Sequence, residues 1–133
     1  MITPPADLRD REFGKILLIK LSAVGDVIQG VAGSPGTVTG TARIVLDLEN
    51  SDHLGPGDIL ITESTDPAWT PLFLAAGGVI TNIGAVATHA VIVSRELGIP
   101  CVPSIADATR RIPDGATITL DGSTGTVTID ALP

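Results

Sequence analysis

Residues 77–105 restrict the fold more than any other stretch. Residues 77–83 form a Val- and Ile-containing run that ends at Gly84. Residues 89–97 then carry Ala90, Val91, Ile92, Val93 and Leu97, and Gly98 and Pro100 follow before a second apolar run at 101–105. Length and spacing predict a strand, a turn, a helix and a strand. The stop signals come in the expected order, glycine just past the helix and proline beyond it. A helix that is apolar almost all round is expected to be largely buried. With a strand on either side, it needs a sheet to lie on.

The rest of the chain repeats short strands between tight turns. Residues 37–48 read as a strand broken near Gly40, and residues 58–63 as another. Residues 69–76 read as a short helix with Pro71 in its first turn, and residues 106–112 as a second short helix. Residues 116–120 and 125–129 alternate Thr with apolar residues across Asp121-Gly122-Ser123-Thr124, the pattern of a terminal hairpin. Aromatic residues make up only 2% of the chain, so the core must be built from Val, Ile, Leu and Ala. The expected fold class is α/β mixed, with one layer of helices. Residues 1–29 are an N-terminal extension of uncertain role, in which 15–21 read as a strand, and residues 30–133 form the main domain.

Charge narrows the partners. The net charge is −7, and from Gly30 onward four Arg stand against eleven carboxylates, whereas residues 1–29 are balanced. Such a surface repels phosphate backbones, so no nucleic-acid partner is expected. The opening residues are polar and charged, without the apolar stretch of a secretory signal. The apolar run at 16–19 is too short to span a bilayer. No membrane association is expected, and the single cysteine, Cys101, suits a cytoplasmic protein. Two distant histidines and one cysteine give no metal-ligand spacing, so no metal site is expected.

A phosphoryl carrier needs a nucleophile that works near neutral pH and surroundings that accept the dianion without trapping it. Histidine suits the first need. The first turn of a helix suits the second, because its free N–H groups and positive dipole end attract phosphate. His89 meets both conditions: Gly84 closes a strand, Thr88 is a good N-cap, and His89 falls at the first helical position. Ala90 is small enough for a phosphoryl group to approach the backbone, and the Thr88 hydroxyl is free either to cap the helix or to contact that group. Spacing alone favours a half-buried helix-start histidine with no chemistry. Arg95 lies nearly two turns further along and is expected to have a surface or packing role. His53 is expected to be solvated in the polar loop 50–55, and Cys101 to be an inert core thiol.

The segment Gly84-Ala85-Val86-Ala87-Thr88-His89-Ala90-Val91-Ile92-Val93-Ser94-Arg95-Glu96-Leu97-Gly98-Ile99-Pro100 resembles the active-site signature of the phosphoenolpyruvate-utilising enzyme mobile domain. Four further pieces fit that family in order. They are Gly33-Ser34-Pro35-Gly36 with Gly40-x-Ala42-Arg43, Gly57-Asp58-Ile59-Leu60, Thr65-Asp66-Pro67-Ala68-Trp69-Thr70-Pro71, and Asp121-Gly122-Ser123-Thr124-Gly125. The third piece most resembles the phosphoenolpyruvate synthase and rifampin phosphotransferase type. Ala85 stands where a second glycine is usual, and Ser94 where alanine is usual before Arg95. The resemblance implies a β/β/α swivelling phosphohistidine domain. His89 would take a phosphoryl group from an ATP-grasp partner domain, with ATP and Mg bound there, and pass it to pyruvate or another small molecule on an acceptor-substrate domain. Partners would lie in cis or in trans, and the chain is not expected to be catalytic alone. Thr65, Asp66, Gly84 and Ala90 would line the site, while Thr65 and Asp66 equally suit a purely structural Asx-type turn. A non-catalytic binding or assembly module that keeps the fold is the alternative. Residues 15–29 superficially resemble the opening strand and turn of heptosyltransferase-type enzymes, but nothing downstream continues that likeness.

Overall fold

The computed structural model describes residues 22–85 and 88–133. The strand read at 15–21 lies outside the described residues. Among the described residues seven strands run β1 (Val27–Gln29), β2 (Thr37–Ile44), β3 (Ile59–Thr62), β4 (Gly78–Thr81), β5 (Cys101–Val102), β6 (Thr117–Asp121) and β7 (Thr126–Ala131). They lie in the order β1-β7-β6-β2-β3-β4-β5. The β1, β7, β6 and β2 pairings are antiparallel. From β2 through β3 and β4 to β5 they are parallel. The helices are α1 (Thr70–Ala75), α2 (His89–Leu97) and α3 (Ala108–Arg111), and Leu48–Asn50 and Pro67–Trp69 form single 3-10 turns.

Alternation along the parallel strands sorts the core into two layers. Ile59 and Ile61 of β3, Ile80 of β4 and Val102 of β5 pack with Ile118, Leu120, Val127 and Ile129 of the hairpin. Their neighbours Leu60, Val79 and Cys101 point the other way, into a cluster with Trp69, Phe73, Ala90 and Val91. Side chains on successive strand residues point to opposite faces, so a sheet covered on both sides has no polar face. The antiparallel half thus covers one side of the parallel half, together with Ala108 of α3, and helices α1 and α2 cover the other, the β/β/α arrangement expected.

Several boundaries depart from expectation. Strand β2 runs unbroken through Gly40, which pairs with Ile118. A Cβ there would sit 2.9 Å from the Gly57 carbonyl, so this glycine serves a close approach and not a break. The strand at 101–105 is only two residues long, because Pro103 has no N–H to pair and Ser104 takes a left-handed backbone, φ 63°. Helix α2 has the predicted limits but is not largely buried. Ala90, Val91 and Ser94 are buried, while Ile92 is 46% and Leu97 40% exposed. It packs on α1, β4 and β5 with one face. At the N-terminal side, β1 adds an edge strand to β7 and buries Ile28 in the core.

Candidate functional site

The loops that follow β3, β4 and β5 converge at the C-terminal edge of the parallel strands, where open α/β sheets usually place ligands. The β3–β4 ladder extends past the strands, with Ile83 N donating to the Glu63 carbonyl at 3.2 Å. This contact lays the chain after β4 beside the chain that leads to Thr65. Gly84 then turns with φ 133°, where an added Cβ would lie 3.2 Å from Thr88 Oγ1. Thr88 is the N-cap residue of α2, with extended backbone, and His89 is the first helical residue. Of the two roles open to it, the Thr88 hydroxyl does not take that of helix cap. The turn brings the Ala85 carbonyl within reach of both Thr88 donors, N at 3.1 Å and Oγ1 at 2.8 Å.

Thr65 Oγ1 lies 2.8 Å from His89 Nδ1. Phe73, buried in α1, meets the imidazole edge-on, with ring centroids 5.7 Å apart and planes at 74°. One nitrogen of His89 is therefore engaged and one wall of the ring is fixed. The half-buried ring lines a depression with the side chains of Ser64, Thr65, Thr81, Thr88 and Ile83, and with Gly84 and Ala90. Among the described residues no charged side chain lines it. Of the residues expected at the site, the structure thus brings Thr65, Gly84, Thr88 and Ala90 together around His89. Asp66 is turned elsewhere: its carboxylate accepts from Ala68 N at 2.9 Å and caps the turn Pro67–Trp69.

The other reactive groups stand apart. Exposed His53 has Nε2 2.9 Å from the Ile44 carbonyl, which makes that nitrogen a donor. Arg95 donates through its guanidinium to the Gly33 carbonyl, at 3.0 and 3.3 Å, and ties α2 to the loop before β2. Burial pushes the Cys101 thiol up to about 12, and the Ser94 hydroxyl and Arg95 charge offset this only in part. At ordinary pH this thiol is not a nucleophile. Among the described residues no group of three acidic, His or Cys side chains could hold a metal ion. Sequence reasoning missed Phe73, Thr81 and Ser104. Phe73 was within reach, being one of two Phe in a chain with 2% aromatics. Nothing in the sequence marked Ser104, whose hydroxyl donates to the Gly84 carbonyl.

Comparison with known proteins bears on this site. Residues 54–125, which hold Thr65, Gly84 and His89, match the family described as "PEP-utilising enzyme, mobile domain". The chain is 46% identical over 100 residues to the rifampicin phosphotransferase of Streptomyces sviceus, covering 75% of this chain and 11% of that protein. It is 41% identical over 102 residues to the phosphoenolpyruvate synthase of Aeropyrum pernix, covering 76% and 12%. The chain thus spans about a tenth of the length of these relatives, each of which carries the matched module as one part. A solution structure of Enzyme I (nEIt) superposes with TM-score 0.53 at 26% identity, over 60% of this chain and 33% of the other. By sequence and by fold, the chain belongs to the mobile-domain family of the phosphoenolpyruvate-utilising enzymes.

Proposed function

We propose that the chain is a phosphoryl carrier that accepts the group on Nε2 of His89. One observation carries this reading: the Thr65 hydroxyl engages Nδ1 at 2.8 Å, at the start of a helix and in an uncharged depression. With the proton on Nδ1 and Thr65 Oγ1 accepting it, the Nε2 lone pair is left free to attack. The nitrogen–phosphorus bond forms as the bond from phosphorus to the donor's leaving oxygen breaks, and that oxygen leaves with the electron pair. The ring gains positive charge, which the Nδ1–H···Oγ1 hydrogen bond helps to disperse. The phosphoryl dianion would then be favoured by the positive end of α2, at whose first residue His89 stands. Among the described residues no fixed cation lines the depression to trap it, so an acceptor oxygen can take the group by the reverse step.

The donor would be an ATP-grasp domain holding ATP and Mg, and the acceptor domain would hold pyruvate or another small molecule. Both would lie in cis or in trans, in the cytoplasm. Ile83 lines the depression and Ile92 stands one helical turn beyond His89; 63% and 46% exposed, they offer apolar surface on which a partner could exclude water. The test is to incubate the full chain with phosphate-labelled ATP and the ATP-binding part of a full-length relative. Acid-labile label is expected on the parent chain and on His53→Ala, and none on His89→Ala. Label on His89→Ala equal to the parent's would remove His89 from the mechanism. A parent chain that stays unlabelled while the relative's own module is labelled would favour a non-catalytic module.

A further inference from the structure

We propose that Ser104 is a positioning residue for His89, acting through the Gly84 carbonyl; the inference rests on the carrier reading above. Ser104 lies two residues beyond β5, far in sequence from the turn it touches. Its φ of 63° belongs to the left-handed region that favours glycine. Glycine would satisfy that backbone without strain, so what serine adds is its hydroxyl. That hydroxyl donates to the carbonyl of Gly84. The next residue, Ile105, is fully buried, and its N–H donates to the Thr81 carbonyl at 3.1 Å. Ser104 and Ile105 together therefore grip both the last residue of β4 and the first residue of the turn toward His89.

The turn needs an anchor from outside. Gly84 has φ 133° and no side chain, so it has no packing of its own to fix its direction. Its direction sets where Thr88 and the first turn of α2 begin. A shift there carries the imidazole away from Thr65, and the 2.8 Å contact that engages Nδ1 is lost. Ser104 touches neither the imidazole nor a phosphoryl group. Its effect is to keep one nitrogen engaged and the other open.

Two substitutions separate this role from a merely structural one. Ser104→Gly removes the hydroxyl and relieves the backbone, so its thermal midpoint should equal or exceed the parent's. Ser104→Thr keeps the hydroxyl but places a β-branched residue in the left-handed region, so its midpoint should fall. The full chain is phosphorylated chemically with phosphoramidate, and the sites are located by mass spectrometry. His53 serves as an internal reference, because it sits on a different loop and bonds the Ile44 carbonyl. In the parent, His89 should carry the phosphoryl group on Nε2 alone, as read by 31P NMR. In Ser104→Gly the labelling of His89 relative to His53 should fall about tenfold, roughly the worth of one hydrogen bond, and the Nδ1 isomer should appear. Ser104→Thr should keep the parent's ratio and isomer despite its lower midpoint. An unchanged ratio and isomer in Ser104→Gly would overturn the proposal, as would a ratio that tracks the thermal midpoint across the variants. A parent labelled on His53 and never on His89 would instead overturn the carrier reading, and this proposal with it.

Discussion

His89 offers two nitrogens, and their inequality rests on a hydroxyl 24 residues earlier in the chain. Thr65→Val keeps the shape of the side chain and deletes that partner. The loss in folding stability should be only about 1 kcal/mol, the usual net worth of one such hydrogen bond. Labelling of His89 by the ATP-dependent partner should slow about tenfold, since the ring then samples the tautomer in which Nε2 carries the proton and cannot attack. Thr65→Ser should restore most of the rate. A Thr65→Val chain labelled as fast as the parent would show that the contact does not set the tautomer. At this scale the sequence was legible where the residue itself carries the signal. His89, Thr65 and Gly84 stand in ordered motifs, and Gly84 is the residue type its turn requires. Thr81 and Ser104 were not legible. Whether a hydroxyl ends up beside the imidazole pocket, or bonded to a carbonyl of another loop, depends on the tertiary docking of β4 and β5.

Helix α2 shows what a pattern of apolar residues can and cannot say. Its limits followed from Gly98, which takes the left-handed C-cap with φ 76°, and from Thr88 at the N-cap. Its burial did not follow, because apolarity all round does not reveal how many faces the neighbours cover. The strands were legible by alternation. Their ends were less so, because pairing and tight crossings decide where a ladder stops. Gly77 illustrates such a crossing. A Cβ there would lie 2.6 Å from the Gly57 carbonyl. Gly57 N donates to the Ala75 carbonyl at 2.8 Å, at the end of the helix that carries Phe73. Gly77→Ala must therefore push the Gly57 turn off α1 and loosen the wall against His89. Overpacking of this kind typically costs about 1–3 kcal/mol, which urea denaturation of the variant should show. A cost near zero would mean that the turn moves aside freely and that α1 does not depend on it.

At the largest scale, the described residues present a partly apolar site without charged lining on an acidic body. The net charge of −7 arises from residue 30 onward, and the depression at His89 is lined by hydroxyls and Ile83. Free ATP, itself an anion, is repelled by such a body, so under the proposed carrier role transfer would need a partner whose own groups neutralise the phosphates. Apolar side chains at the rim then give the partner something to bury. Ile92 stands one helical turn beyond His89 on α2 and is 46% exposed. Ile92→Glu should leave folding stability within about 0.5 kcal/mol of the parent, as surface substitutions generally do. It should slow labelling of His89 by the ATP-dependent partner, because a carboxylate would be desolvated as the two surfaces close. Chemical labelling by phosphoramidate needs no docking and should proceed at the parent's rate. Equal slowing of both reactions would place the fault in the imidazole pocket itself. Parent-like rates in both would show that the partner approaches His89 from a side that does not cover Ile92.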